Sequence, residues 1–170
     1  NVDDTDTMAR FYWHLINFYS NNGQKEEALT LLRQLESLLP NVSPALQTSH
    51  FYIRLGRYYN NLNDPVQSLN HLETAVSLAK TEESSTPACQ AQMMLGLLFH
   101  QLQQNESALE HYFKALVIAQ ENNHQNSIAI AKNNIGLVYS EIGENEQALE
   151  YLFEAVAIKQ QLNDTLGYLN

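Results

Sequence analysis

The fold of this chain is decided by residues 129–161, AIAKNNIGLVYSEIGENEQALEYLFEAVAIKQQ. Ile135 and Val138 begin an apolar pattern with the spacing of one helix face, and Gly143 ends it, as glycine commonly does after a helix. A second amphipathic pattern covers residues 148–158. The stretch therefore predicts two antiparallel helices, A and B, joined by a tight turn.

The same pattern occurs four times, at an interval of 40 residues. Four columns of equivalent positions hold this register without a gap: Ile16, Gly56, Gly96 and Gly136; Tyr19, Tyr59, Phe99 and Tyr139; Ala28, Ser68, Ala108 and Ala148; Leu35, Ala75, Ala115 and Ala155. Small residues let the two helices of a pair approach closely, and the aromatic residue fills the space between them. A fixed period indicates a stack of equivalent units that cover each other's apolar faces. We expect eight helices, at about 5–22, 25–39, 45–62, 65–80, 86–103, 105–121, 125–142 and 145–161.

These columns resemble the tetratricopeptide repeat, in which Gly or Ala, Tyr, Ala and Ala stand at the same offsets. NNIGLVYSEIGENEQALEYLFEA (133–155) and QMMLGLLFHQLQQNESALEHYFKA (92–115) match best, and residues 54–75 and 14–35 match less well. The resemblance implies an all-α fold, a right-handed alpha-alpha superhelix of four helix pairs. The usual unit has 34 residues, and we expect the additional ones to extend helix ends and linkers.

The repeats predict one array over residues 1–170. Its units lie at about 9–40, 49–80, 89–120 and 129–160, and residues 161–170 resemble the start of a fifth unit or a cap. Polar, turn-rich linkers are expected at 40–44, 80–87 and 121–126.

Composition excludes several classes of partner. A net charge of −10 argues against nucleic acid and anionic membranes, because binding to phosphate depends on Lys and Arg. No apolar run approaches the length of a membrane helix, about 20 residues. We expect a cytoplasmic protein, with a periplasmic sensor region as the alternative.

We find no set of residues for catalysis, no cofactor motif and no metal site, and therefore expect a protein that is not an enzyme. His71 and His111 share a column, but neighbouring repeats are about 10 Å apart, too far for one metal ion to bridge. We expect both histidines at exposed positions of B helices. Cys89 is the single cysteine, so it forms no internal disulfide, and we expect a partly buried structural thiol.

The resemblance implies that an inner wall is formed by A-helix residues that do not face helix B. We call this surface the A-helix wall. Its columns are Arg10, His50, Gln90 and Ile130; Trp13, Ile53, Met93 and Asn133; His14, Arg54, Met94 and Asn134; Asn17, Arg57, Leu97 and Leu137; and Ser20, Asn60, His100 and Ser140.

The A-helix wall changes character along the array. Three of the chain's four arginines, Arg10, Arg54 and Arg57, fall in its first half, where His50 shares a helix face with the last two. The second half of the wall is more apolar and includes Met93 and Leu97. The alternatives are that the arginines pair with neighbouring carboxylates and that the apolar residues pack against the adjacent repeat. The carboxylate clamp known in the family uses Lys and Asn over three repeats, and we do not expect it because no Lys lines the first three units.

The candidate ligand-binding residues are Arg10, Trp13, Asn17, His50, Ile53, Arg54, Arg57, Asn60, Met93, Leu97, His100, Asn133, Asn134 and Leu137. They predict a protein- or peptide-binding scaffold, the sensor or interaction region of a larger bacterial signalling protein. The expected partner is an extended peptide or protein with an acidic group. The alternatives are a Rap-like peptide-pheromone receptor region and a structural domain that associates end to end.

Overall fold

The computed structural model of this chain describes the backbone of residues 2–167 and the side chains of residues 4–163. This part forms eight α-helices: α1 (Val2–Asn21), α2 (Lys25–Leu38), α3 (Ser49–Asn61), α4 (Pro65–Thr81), α5 (Ser85–Gln101), α6 (Asn105–Glu121), α7 (Gln125–Glu141) and α8 (Asn145–Gly167). A short 3-10 helix, Leu39–Asn41, follows α2, and no strand occurs within residues 2–167. The all-α fold of four helix pairs is confirmed.

One kind of turn connects almost all of these helices. A residue with positive φ ends the helix at positions 20 residues apart, with one omission at 43: Gly23, Asn63, Glu83, Gln103, Asn123 and Gly143. The amide of the following residue then bonds back to the last helical turn, as in Gln104 N to Phe99 O at 2.9 Å. This pattern, a Schellman motif, satisfies carbonyl groups that a helix end otherwise leaves free.

The turns within repeats and between repeats are therefore alike. From α4 to α7, each helix has 17 residues and each turn has three. The 40-residue period thus comes from long helices, and the expectation that the linkers would also be extended is wrong for the later repeats.

The connection between α2 and α3, residues 39–48, is the exception. Pro40 and Pro44 interrupt the helical pattern, because proline lacks an amide hydrogen and disfavours a helical residue before it. Thr48 caps α3 by accepting a hydrogen bond from Phe51 N at 3.3 Å, so α3 begins at residue 49 rather than at 45 as expected. Gln47 holds the connection in place with hydrogen bonds from Nε2 to Val42 O at 2.9 Å and Leu39 O at 3.1 Å.

The small residues do lie at close contacts between helices A and B. A Cβ atom added to Gly96 would lie 2.5 Å from the ring of Tyr112, and one added to Gly136 would lie 2.7 Å from Leu152 Cγ. Real Cβ atoms do not approach other atoms so closely, so these positions require glycine. The predicted role of the glycine column is confirmed.

The joint between the first two repeats is wider than the later joints. α5 packs closely on α4, and α7 on α6, but the backbones of α2 and α3 stay farther apart. The cause is side-chain size. Phe51 occupies the column that holds Ala91 and Ala131 in later repeats, and Leu35 occupies that of Ala75. Large side chains thus fill the first joint, whereas small ones allow close approach at the others.

The last helix continues to Gly167, beyond the expected end at 161. No glycine or proline lies between 161 and Gly167 to stop it. Residues 161–167 therefore extend α8 where a linker and first turn had been expected. Residues 168–170 lie outside the described part of the chain, and whether a fifth unit begins there stays a prediction.

The repeated turn generates a prediction at Gln103, which holds a φ of 59° without being glycine. A left-handed conformation costs about 1–2 kcal/mol for most residues, and glycine avoids that cost but loses about 0.5–1 kcal/mol of chain entropy. We expect Gln103→Gly to stabilise the protein by about 0.5–1 kcal/mol in urea denaturation. The control is Gln90→Gly at an exposed position inside α5, which should destabilise by about 1 kcal/mol. Equal effects of the two variants would contradict this account.

A second prediction concerns Gly96. Alanine normally stabilises a helix by about 1 kcal/mol relative to glycine. Overpacking against the buried ring of Tyr112 costs about 1–3 kcal/mol and should outweigh that gain. We expect Gly96→Ala to lower the melting temperature of the wild-type protein. In a Tyr112→Leu background, where the ring is absent, the same substitution should lower the melting temperature less. A Gly96→Ala variant at least as stable as wild type would show that the contact is not tight.

Candidate functional site

The A helices α1, α3, α5 and α7 together form one side of the array. α3 contacts α5 and α5 contacts α7 across the turns between repeats. Side chains also join successive A helices, as where the Tyr58 hydroxyl donates to Asn17 Oδ1 and His100 Nε2 lies 2.8 Å from Glu141 Oε2. The A-helix wall is therefore a surface shared by all four repeats.

A pocket of about 510 Å³ opens in the first half of this wall, at the joint between α1 and α3. We call it the first-joint pocket. Five predicted wall residues line it: Arg10, Trp13, His14, His50 and Arg54. The structure adds five more from α1, α3 and the 39–48 connection: Ala9, Ala45, Leu46, Thr48 and Phe51.

Aromatic contacts fix the wall of the pocket. The ring centroids of Trp13 and Phe51 lie 5.5 Å apart in a tilted arrangement, and Tyr58 packs its edge against Trp13 at the same distance. The guanidinium carbon of Arg54 lies 5.1 Å from the centre of the Trp13 ring. Such a cation–π contact holds an arginine in place without neutralising its charge.

No acidic side chain lines the pocket, although the protein carries a net charge of −10. The ion pairs found among residues 4–163 involve His71, His100, Lys114 and Lys132, and none involves an arginine. The wall arginines therefore form no ion pair in the described part of the chain, although Arg10 interacts electrostatically with Asp6, one helical turn before it. Their charge is available to a ligand.

Two carboxylates lie within electrostatic reach of the pocket's cations, and both are engaged elsewhere. Asp6 accepts a hydrogen bond from Ser43 N at 2.8 Å, and its bonds to Ser43 hold the pKa of this carboxyl below its ordinary value. Glu82 accepts from the hydroxyl and amide of Ser49, which likewise lower the pKa of Glu82. Both groups therefore stay ionised and occupied at neutral pH.

The second half of the wall is more mixed than expected. Leu137 is 44% exposed and Ile130 is 39% exposed, so both present apolar surface. Met93 is partly buried against the core of the last two repeats, and Asn134 Nδ2 lies 3.5 Å from its sulfur. Part of this surface thus serves packing between repeats, the alternative weighed from the sequence.

Some candidate residues are not free to meet a ligand. Ile53 is buried and packs with Ala75 and Ala91, so its expected place on the surface is wrong. These neighbours belong to α4 and α5, so Ile53 packs into the joint between the second and third repeats. Asn17 is half-buried and bonded to Tyr58, and His100 is paired with Glu141.

The remaining candidates lie on the surface but apart from the first-joint pocket. Arg57 and Asn133 are exposed, and Asn60 and Leu97 are half-buried. None of these four side chains lines that pocket.

The expectation that His71 and His111 are exposed is also wrong. His71 is 9% exposed, stacks on Tyr59 at 5.3 Å and lies 2.7 Å from Glu36 Oε1. His111 is half-buried and stacks on Phe99 at 5.2 Å. The aromatic residue of the A helix stacks on a flat side chain of helix B in the second, third and fourth repeats, and that side chain is His71, His111 and Tyr151 in turn.

The described residues contain no group of three or more His, Cys, Asp or Glu side chains able to hold a metal ion. Cys89 is 3% exposed, its Sγ contacts Ala115 O at 3.5 Å, and burial raises the pKa of its thiol. The thiol is thus more fully buried than the partly buried structural thiol expected from the sequence. None of the helices within residues 2–167 is long and apolar enough to cross a membrane.

The pocket residues of the 39–48 connection were not predicted from the sequence, because a repeat pattern predicts side-chain positions only within regular helices. Leu46 and Thr48 fall outside the helical register on which the wall columns depend. Two prolines within five residues, Pro40 and Pro44, were the available signal that the 20-residue spacing of turns fails here.

Comparison with known proteins supports the family resemblance. Residues 88–161 match the family model for the tetratricopeptide repeat. A search of curated protein sequences returned no significant match.

Several solved structures share this fold. RapI, solved in its apo form, aligns with a TM-score of 0.82 and 24% identity over 91% of this chain and 57% of its own. Aspartyl phosphate phosphatase F from Bacillus subtilis aligns with a TM-score of 0.86 and 20% identity over 92% of this chain and 41% of its own. A Rap protein complexed with Competence and Sporulation Factor aligns with a TM-score of 0.75 and 20% identity over 92% of this chain and 44% of its own. The chain thus spans about half the length of these proteins, and the likeness shows a common fold.

Proposed function

We propose that this chain, whose residues 88–161 match the family model for the tetratricopeptide repeat, binds an extended peptide or protein segment along its A-helix wall. The observation that carries the proposal is the cationic half of that wall. Arg10, Arg54 and Arg57 are exposed and form no ion pair among the described residues. In a protein with a charge of −10, unpaired cations gathered on one surface suit an acidic group of a partner.

The rest of the wall suits the remainder of such a ligand. Leu97 and Leu137 offer apolar surface for side chains, while Asn133 and Asn134 carry amide groups able to bond to an extended backbone. Asn17, Asn60, Met93 and His100 shape the surface between them. We propose that this segment binds rather than catalyses.

The similar structures support a narrower proposal. A Rap protein of the same fold was solved in complex with Competence and Sporulation Factor. We propose that this chain is likewise the binding region of a larger bacterial signalling protein, with a Rap-like peptide receptor as the narrower form.

A second candidate function, end-to-end assembly, is favoured by the two outer faces of the array. Phe11 and Phe18 on α1 are 61% and 58% exposed, although their equivalents on α7, Ala131 and Val138, are fully buried. Phe153 and Val156 on α8 are 70% and 53% exposed. Within the array, the corresponding face of an A helix packs on the B helix of the preceding repeat. The corresponding face of a B helix packs on the A helix of the following repeat.

These two faces are complementary, so a second copy of the chain could join head to tail and repeat the internal joint. Such a contact is heterologous and does not close on itself, and it would therefore build open rows rather than dimers.

The first functional prediction tests peptide binding. We expect acidic hits from a positional-scanning peptide library to bind wild type in calorimetry and to weaken as salt rises. The double substitution Arg54→Ala/Arg57→Ala should weaken them about tenfold, the scale of a charge-assisted hydrogen bond. Arg33→Ala on α2 is the control and should leave binding unchanged. If the double variant binds every hit as tightly as wild type, the arginines do not contact the ligand.

The assembly prediction uses sedimentation velocity. We expect Phe11→Lys and Phe153→Lys each to abolish concentration-dependent association, because a charge cannot enter an apolar joint without a large cost. Val66→Lys is the control, since Val66 is 65% exposed on α4 within the array. Mixing the two end variants should give dimers and nothing larger, because each retains one intact face. A wild-type chain that stays monomeric at all concentrations rules out this function.

A further inference from the structure

The first-joint pocket combines two properties that the rest of the wall lacks. Its floor is apolar, formed by Ala9, Leu46 and Phe51 beside the Trp13 ring, and its rim carries Arg10 and Arg54. Ala9 is 3% exposed, so the floor belongs to the core of the first joint. A volume of about 510 Å³ falls in the usual range of sites that enclose a ligand group.

The pocket is built before any ligand arrives. Gln47 ties the connection to the end of α2, and Tyr52 donates from its hydroxyl to Gln47 Oε1 at 3.2 Å. The Trp13 ring is held between Phe51 and Tyr58. Preformed walls reduce the entropy lost on binding.

The guanidinium groups at the rim of the pocket form no ion pair within the described residues. These groups belong to Arg10 and Arg54, and Arg54 lies over the Trp13 ring. The carboxylates near the pocket, Asp6 and Glu82, accept hydrogen bonds from Ser43 and Ser49, and Asp6 also interacts electrostatically with Arg10. Guanidinium groups bind carboxylates with particular strength because their donors match two oxygens at once.

We infer that the first-joint pocket anchors a bulky apolar side chain that has a carboxylate beside it, the side chain on the floor and the carboxylate on the arginine rim. This inference rests on the proposed peptide-binding function and names the residue pair that it selects. The carboxylate has two possible sources, the free C-terminus of a peptide that ends in the apolar residue or an Asp or Glu next to that residue within the chain.

Trp13 is the single tryptophan of the chain and lines the pocket, so its fluorescence reports occupancy without a signal from other tryptophans. The probes are two matched pairs of short peptides. The first pair is acetyl-Gly-Gly-Phe with a free carboxylate and the same peptide as its amide. The second pair is acetyl-Gly-Phe-Asp-Gly-amide and the same peptide with Asn in place of Asp.

We expect the charged member of one pair to change Trp13 fluorescence saturably and to bind about tenfold more tightly than its neutral partner. The pair that shows the difference identifies the source of the carboxylate. Arg10→Gln and Arg54→Gln should each reduce this ratio. Arg33→Gln removes the same charge outside the pocket and should preserve it.

The inference fails if neither charged probe gives a saturable signal, if charged and neutral probes bind equally, or if the Arg10 and Arg54 variants leave the ratio unchanged. Tighter binding of adenosine monophosphate than of either charged peptide would also overturn it, because the pocket would then select a phosphate and a base. These short probes reach the pocket alone. Failure of the proposed function would appear separately, as absence of binding by every longer peptide of the library.

Discussion

The three-residue turn with one left-handed residue is the constraint on which the rest of this structure depends. It ends one helix and starts the next within the same few residues, and it recurs every 20 positions from Gly23 to Gly143 with a single omission near residue 43. Equal turns make equal helices, and equal helices keep the columns of small and aromatic residues facing each other. The omission is where α2 and α3 separate and where the pocket forms. The repeated turn thus sets the packing of the helices, and the irregular connection between α2 and α3 forms part of the pocket.

Most of the scaffold could be predicted from the sequence because its rules are local. Helical spacing, glycine at close contacts and alanine at the joints all depend on neighbours at fixed offsets, so the helix pairs and the role of Gly96 and Gly136 followed from the pattern. Four of the six left-handed positions hold Asn, Glu or Gln. No glycine marks these turns, and only the period located them.

The site could be predicted only in part. Arg10, Trp13, His50 and Arg54 were found because they share columns of the A-helix wall, and the structure does bring them together. The connection that closes the pocket could not be placed, because its path depends on side chains distant in sequence. The two histidines were misplaced for a similar reason. Helical spacing tells which face a residue occupies but not that Tyr59 or Phe99 will cover it.

The wide first joint has a mechanical consequence. A stack of rigid units bends where its units share the least backbone contact, and here that place is between α2 and α3, whose gap is spanned by side chains. Aromatic rings that meet by tilted faces and edges can slide by small amounts, whereas the alanine-lined joints of the later repeats cannot. We therefore expect the first repeat to rotate relative to the other three repeats more readily than those three rotate relative to one another. A group bound between α1 and α3 would then change the angle between the first repeat and the rest of the array.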